Sequence, residues 1–469
     1  MQRLIDEVKF GKNYEYDKGT IKHNSPKNIV VFPYNTKYEK KNKENVEEFV
    51  KCLASFSRNI NNKTSGEEPI TIEHIKNIIE NVDADTSDKL ALRSLVRELF
   101  FNANGELDVF NPMVLNYIPT PKNDYNEKLA KYLFDVLLSS EEDSELIERV
   151  EKYFGYESEN VLELLVIKSL PKLKDSKSNK VIYKCLNNHI ANLFKEDLKF
   201  ILGQEEVSIK EFELLLKFYY FVYVSQTAIK LSNMFDANKE KSGDLYFTLD
   251  FEKGSKSRDS YIKGWKLLES HVSKIFAHAH TLEILNLDDN REEKLDYLDI
   301  KQIIECSNQE DVEEIFQNIN TVKNMYVSAI KDVDWTKYNT SVKYEDNVQQ
   351  SIYDFFMRID YQFKKTTRFK PYTCYYKWFE EFCKINYLKK RGSLGYTLSI
   401  TKEQLLFMTK ISIGSKNRIK LKDLFKEFRK RGIFFDRESE VRITELFEKL
   451  NLIEKKSDSG DAQYVKAIL

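Results

Sequence analysis

From residue 44 to residue 361, apolar residues return every three or four positions, and this spacing restricts most of the chain to helices that each bury one face. Phe49, Cys52, Leu53 and Phe56 make one such stripe, and Leu92, Leu95, Val96, Leu99 and Phe100 make another. The same period marks helices over 127–138, 145–154, 161–169, 181–202, 265–285, 295–306, 312–330 and 348–361. A longer apolar helix over 207–234 carries Phe212, Leu215, Phe218, Phe221, Val222 and Ile229. Turn-formers are too scarce to compete: 469 residues include only 14 Gly and 8 Pro, which argues against a sandwich or barrel of many hairpins. The expected fold is mainly α, a multi-helical body with a C-terminal winged-helix-like module.

Breaks in the pattern divide the chain. Residues 1–43 read as irregular and partly β, with Ile29, Val30, Val31 and Phe32 as a strand-like run. A helical domain over 44–236 follows, then a loop with a small hairpin over 237–264, where three glycines interrupt the period. A second helical domain spans 265–360, a basic aromatic segment 361–398, and the winged-helix-like module 399–469.

Several function classes lack the residues they need. Cys52, Cys185, Cys306, Cys374 and Cys383 are scattered, with no CxxC pair, so neither a zinc knuckle nor a disulfide framework is expected, and reduced thiols fit a cytoplasmic protein. The opening MQRLIDEVKFGK is charged from its third residue and does not read as a signal peptide. No apolar run approaches the roughly 20 residues that cross a bilayer, so no membrane association is expected. Gly254-Ser-Lys-Ser257 and Gly414-Ser-Lys-Asn417 are fragments without the GxxxxGK[ST] spacing of a phosphate loop. His271, His278 and His280 cluster, but two histidines spaced by one residue point to different sides of a helix, and no metal is expected. Asp244, Asp250 and Glu252 with Lys253 loosely resemble a nuclease carboxylate cluster without its Glu-x-Lys step. The reading is a protein without catalytic residues or cofactor, a divergent metal-dependent nuclease being the weakest alternative.

Charge carries the positive signal. Residues 358–432 hold 20 Lys+Arg against 6 Asp+Glu, a net +14, whereas everything before residue 358 sums to −13. A chain of net charge −1 is therefore an acidic body bearing a basic patch, which calls for an anionic partner.

The last seventy residues read in detail. Thr401-Lys-Glu-Gln404 has capping-box spacing, and its helix carries Leu405, Leu406, Met408 and Ile411 up to a stop at Gly414. A second helix, 421–431, puts Leu421, Leu424, Phe425 and Phe428 on one face. Asp436 can cap a third, with Val441, Ile443, Leu446, Phe447 and Leu450 on its apolar side. Strand-like runs 452–456 and 463–469 flank the turn-rich Ser457-Asp-Ser-Gly-Asp461. Three helices followed by a hairpin is winged helix-turn-helix order, a module that serves DNA binding or protein binding.

On the third helix Arg437 and Arg442 compete with Glu438, Glu440, Glu445 and Glu448, which repel phosphate, so base reading there is disfavoured. Phosphate contact fits better through Lys422, Lys426, Arg429, Lys430 and Arg431 on the second helix, through Lys416, Arg418 and Lys420 before it, and through the wing lysines Lys455 and Lys456. Upstream, Lys364, Lys365, Arg368, Lys370, Lys389, Lys390 and Arg391 add phosphate-binding candidates. Tyr372, Tyr375, Tyr376 and Trp378 offer rings for unpaired bases, although helical spacing favours a core role for Trp378, Phe379 and Phe382. The acidic face of another protein would satisfy the patch as well as DNA does.

The run GSLGYTLSITKEQLLFMTKISIGSKNRIKLKDLFKEFRKRGIFFD, continued by LFEKLNLIEKKSDSGDAQYVKAIL, resembles DptG, the G component of bacterial DNA phosphorothioation-dependent restriction systems. The specific part is the ending, residues 449–469, and the likeness covers about the last eighty residues. It implies an accessory or scaffolding subunit of an anti-phage defence complex, with an ATPase-type F partner and a helicase-like H partner, acting on DNA that lacks backbone sulfur. It brings no family catalytic motif.

Overall fold

A computed structural model describes residues 3–19, 21–40, 42–64, 66, 68–121, 124–138, 143–176, 180–288, 291–455 and 463–468. The chain is mainly α. Its first part forms α1 (Glu7–Asn13), α2 (Asn42–Glu47), α3 (Phe49–Asn61), α4 (Ile72–Glu80), α5 (Thr86–Phe100), α6 (Tyr125–Leu138), α7 (Ser144–Phe154) and α8 (Val161–Ser169). The middle holds α9 (Asn188–Ile201), α10 (Ile209–Asn233), β1 (Leu245–Leu249), α11 (Asp259–Ile262), α12 (Trp265–Val272), α13 (Ile275–Leu285), α14 (Tyr297–Cys306) and α15 (Gln309–Ala329). Then come α16 (Asn347–Lys365), α17 (Phe369–Asn386), β2 (Leu388–Lys390), β3 (Tyr396–Ile400) and α18 (Lys402–Ile413). The chain closes with β4 (Arg418–Lys420), α19 (Leu421–Lys430), β5 (Ile433–Phe435), α20 (Arg437–Lys449), β6 (Ile453–Lys455) and β7 (Gln463–Lys466). No helix among the described residues is long and apolar enough to cross a membrane.

Two compact units divide these elements, and neither is a continuous stretch of chain: one comprises 41–182 and 191–220, the other 1–40, 183–190 and 221–469. In the first, Phe56 of α3 packs on Phe134 of α6 and on Phe212, and Phe212 lies 4.9 Å from Phe154 of α7. Arg58 is buried there, donating to the Ile118 carbonyl at 2.7 Å and to Thr120 Oγ1 at 2.8 Å, and burial lowers its pKa to about 10. A second core of this unit gathers Ile70, Ile75, Ile79, Val96 and Phe100 from α4, α5 and the approach to them.

In the second unit α16 packs against α13, α15 and α17. Beside them stands a mixed sheet in the order β2-β3-β1-β5. Strand β1 runs parallel to β3, with Thr248 opposite Ser399, and parallel to β5, with Phe247 opposite Phe435. It does not form a hairpin with its neighbours in 237–264. Four of its five residues are buried, the pattern of a strand covered on both faces. The run at Ile29–Phe32 makes one isolated bridge, Val30 to Tyr183; the Phe32 carbonyl accepts from Tyr375 Oη of α17 at 3.3 Å, and just beyond the run the Asn35 carbonyl accepts from Trp378 Nε1 at 3.1 Å.

Of the clustered histidines, His278 and His280 are core residues and His271 is half-buried. His278 stacks on Phe356 at 4.0 Å and bonds Tyr297 Oη at 3.0 Å, while His280 lies edge-on to Phe276. None of the five cysteines is disulfide-bonded.

Candidate nucleic-acid interface

The final elements of the second unit follow the order α18, β4, α19, β5, α20, β6, β7. Local chemistry accounts for the helix boundaries. The Thr401 hydroxyl accepts from Gln404 N at 3.2 Å while the Gln404 carboxamide accepts from Thr401 N at 2.9 Å, a complete capping box for α18. Gly414 ends that helix at φ 59°. Asp436 caps α20 by accepting from Ser439 N at 3.1 Å. Strands β4, β7 and β6 form a three-stranded antiparallel sheet in that order, with Ile419 opposite Val465 and Ile453 opposite Val465 on the other side. Lys455 ends β6, but its side chain is outside the described set, and Lys456 and the pentapeptide 457–461 lie outside the described residues.

Strand alternation sets the first cationic row. Ile419 turns inward, so its neighbours Arg418 and Lys420 share the opposite face of β4, an edge strand. Arg418 lies over the Tyr464 ring at 4.9 Å and pairs with Glu454 at 2.6 Å. Lys416, Lys420 and Lys422 are exposed and make no ion pair among the described residues. On α19, Leu424, Phe425 and Phe428 face the core, so Lys426, Arg429 and Lys430 project to solvent. Each has a carboxylate: Asp423 at 2.7 Å, Glu440 at 2.9 Å and Glu427 at 2.7 Å respectively. The hydrogen bond from Lys426 holds the Asp423 carboxyl below its ordinary range. Pairs this exposed contribute about 0–1 kcal/mol each and can exchange partners. On α20, Arg442 pairs with Glu445 at 2.9 Å, whereas Arg437 is exposed without an ion pair among the described residues.

Two arginines leave the candidate surface. Arg431 is 3 % exposed, donating to the Glu427 carbonyl at 2.9 Å. Arg391 donates to Thr397 Oγ1 at 2.9 Å, Thr248 Oγ1 at 3.0 Å and the Leu249 carbonyl at 2.9 Å, and also bonds the Glu252 carbonyl. Burial lowers its pKa. Its guanidinium ties β1 to β3, and a phosphate would have to break those bonds.

Trp378, Phe379 and Phe382 are core residues, as their helical spacing predicts, and Tyr372 and Tyr375 join them. Residues 369–386 form α17, in which Tyr372, Tyr375, Trp378, Phe379 and Phe382 are all buried. Tyr372 donates to Asp360 Oδ1 at 2.6 Å, and burial followed by that carboxylate raises its pKa. Stacking on bases is therefore closed to Tyr372, Tyr375 and Trp378, while Tyr376 is half-buried. At the two ends, Lys364 pairs with Asp360 at 2.6 Å and Arg368 with Asp332 at 2.7 Å. Lys365, Lys370, Lys389 and Lys390 are exposed and make no ion pair among the described residues.

No protein-family model matches the chain, and no curated protein matches it.

The nuclease alternative finds no support in the geometry. Glu252 accepts from Arg258, from Ser439 and from Leu249 N, so both of its oxygens are engaged. Among the described residues no group of three or more His, Cys, Asp or Glu could hold a metal ion. Sequence reading passed over two features of this region. One is Arg258, whose partners Asp436 and Ser439 lie far along the chain. The other is Tyr464, which the alternation of 463–466 places on the face of β7 beneath Arg418.

Proposed function

We propose that the protein is a non-catalytic accessory subunit of a bacterial DNA phosphorothioation-dependent restriction complex, working in the cytoplasm and joining F and H partner subunits to the DNA backbone. The observation that carries the reading is the group Lys416, Lys420 and Lys422 at the β4–α19 junction, exposed and without ion pairs among the described residues. Element order and the strand order β4-β7-β6 support a winged helix around it. Its location favours contact with phosphate over base reading, because α20 presents Glu438, Glu440, Glu445 and Glu448. The likeness of the ending to the G component supplies the system; the charge pattern supplies the role.

A gel-shift titration of duplex DNA over increasing salt tests the proposal. Affinity should fall steeply with salt and vary little with duplex sequence. Affinity that stays flat would leave the second reading, a protein-only scaffold whose patch docks an acidic subunit. In either reading, the ion pairs already held by Lys364, Arg368, Arg418, Lys426, Arg429, Lys430 and Arg442 have to be exchanged for those of the anionic partner.

A further inference from the structure

Between α19 and α20 lies a cavity of about 450 Å³ whose floor is apolar, formed by Leu421 and Phe425 on one side and Val441 on the other. Val441 is 50 % exposed, an apolar side chain left open on the surface of α20. Around it stand Glu440, Glu445 and Glu448 of α20, against Lys422 and Arg437. A phosphate backbone entering here would meet three carboxylates before reaching the floor. An apolar side chain flanked by a cation meets the complementary surface.

The groove is also firmly held. Arg258, buried behind the start of α20, bonds Asp436 and Ser439, so the acidic wall needs little ordering when a ligand arrives. Among the described residues, Glu440 and Glu445 have as ion-pair partners the surface arginines Arg429 and Arg442, both at 2.9 Å. Such pairs can be exchanged for an incoming cation at small cost.

We propose that this groove binds an amphipathic helix of a partner protein, seating an aliphatic side chain against Phe425 and Val441 and placing lysine or arginine beside Glu440 and Glu445. The mode is helix-in-groove recognition, with affinity from the apolar anchor and orientation from the charges. The inference rests on the scaffold reading for the existence of a partner and adds where, and with what chemistry, that partner attaches.

The test uses the full chain and two labelled synthetic helices with the same leucine stripe, one flanked by lysines and one by glutamates. In fluorescence anisotropy the lysine helix should bind in the range of about 1–100 μM, and the glutamate helix at least about tenfold more weakly. Val441→Ser should weaken the lysine helix by about fivefold or more while leaving duplex DNA affinity unchanged. Glu440→Lys with Glu445→Lys should reverse the preference between the peptides. Equal binding of both peptides, no binding up to millimolar concentration, or a Val441→Ser variant that binds as the parent does would each overturn the proposal. DNA affinity falling by the same factor in Val441→Ser would assign the groove to nucleic acid instead. Salt-dependent DNA binding measured in parallel separates the two readings: if it persists while peptide binding fails, only the groove is lost.

Discussion

Arg258 grips Asp436 across 178 residues of sequence, Nε donating to Oδ2 at 2.9 Å and Nη2 to Oδ1 at 2.6 Å. The same guanidinium reaches Glu252 at 2.8 Å and Ser439 Oγ at 2.7 Å, and fixes α20 to the turn after β1. Arg258→Met leaves two buried carboxylates facing each other without a cation, which should cost about 3–5 kcal/mol in urea denaturation. A loss below about 1 kcal/mol would mean the network is not what holds α20. Burial opposes ionisation of Asp436, but the Arg258 bonds outweigh it, and the carboxyl sits below its ordinary value. Its contribution is therefore complete above the unfolded carboxylate value near 3.9 and is lost as pH falls through the lower folded value. Arg258→Met should flatten that acid limb.

Gly432 sets a steric condition on the same region. It has φ +77°, and a Cβ there would fall inside the Gln226 carboxamide and 3.2 Å from the Gly243 carbonyl. Gln226 cannot yield easily, because it holds Gly243 by both backbone groups, accepting from N at 2.7 Å and donating to O at 3.0 Å. Gly432→Ala should cost about 2–5 kcal/mol, left-handed strain plus overpacking. Gly392→Ala, at φ +53° with nothing within 4 Å of the added methyl, should cost only the backbone part, about 1–2 kcal/mol. Equal losses in thermal melts would show that the clash is relieved.

How much of this was legible in the chain depends on the range of each interaction. Helices α8, α10, α15 and α16 follow from three- and four-residue spacing, and the caps at Thr401 and Asp436 from residues three positions away. The continuous helix expected over 265–285 is instead two, α12 and α13, parted at Ser273-Lys274, a break the apolar stripe does not register. Strand β1 was visible by alternation, but its parallel partners begin 151 and 188 residues later, and nothing local encodes them. Arg391 and Arg431 carry the same sequence signature as the surface cations. Hydroxyl and carbonyl partners brought in by the fold withdraw Arg391 from the patch, and burial withdraws Arg431. The Arg418–Tyr464 contact was hidden for the same reason.

His280 should make the second unit sensitive to mild acid. Its ring lies 4.5 Å from Phe276, 5.2 Å from His23 and 5.5 Å from Phe363, and neither nitrogen has a hydrogen-bond partner among the described residues. Burial pushes its pKa down to about 3. The unfolded chain takes up the proton near pH 6.5, so stability falls between that pH and the folded value, at about 1.4 kcal/mol per pH unit for this residue. His280→Phe removes two buried polar nitrogens from an aromatic setting. It should be neutral or stabilising at pH 7 and, at pH 4.5, more stable than the parent by about 2–3 kcal/mol in urea denaturation. An unchanged difference between the two pH values would sink the assignment.

The cations of the C-terminal module should separate into two functional sets. Lys420 and Lys422 are exposed without ion pairs, so Lys420→Ala with Lys422→Ala removes charge and little packing. If each neutralises one phosphate, the slope of log affinity against log salt should fall by about 1.8, with the melting temperature almost unchanged. Arg431→Ala should do the opposite, because its guanidinium is buried, donating to the Glu427 carbonyl and lying 3.7 Å from the Glu427 carboxylate. A melting temperature lowered by several degrees with an unaltered salt slope is the expected outcome, a loss of about 1–3 kcal/mol. Arg429→Ala and Lys430→Ala lie between, since binding DNA through them first breaks their pairs with Glu440 and Glu427. Each should change the slope by less than Lys420→Ala does. A steeper loss from Arg431→Ala than from the lysine pair would place the phosphate contact elsewhere on the chain.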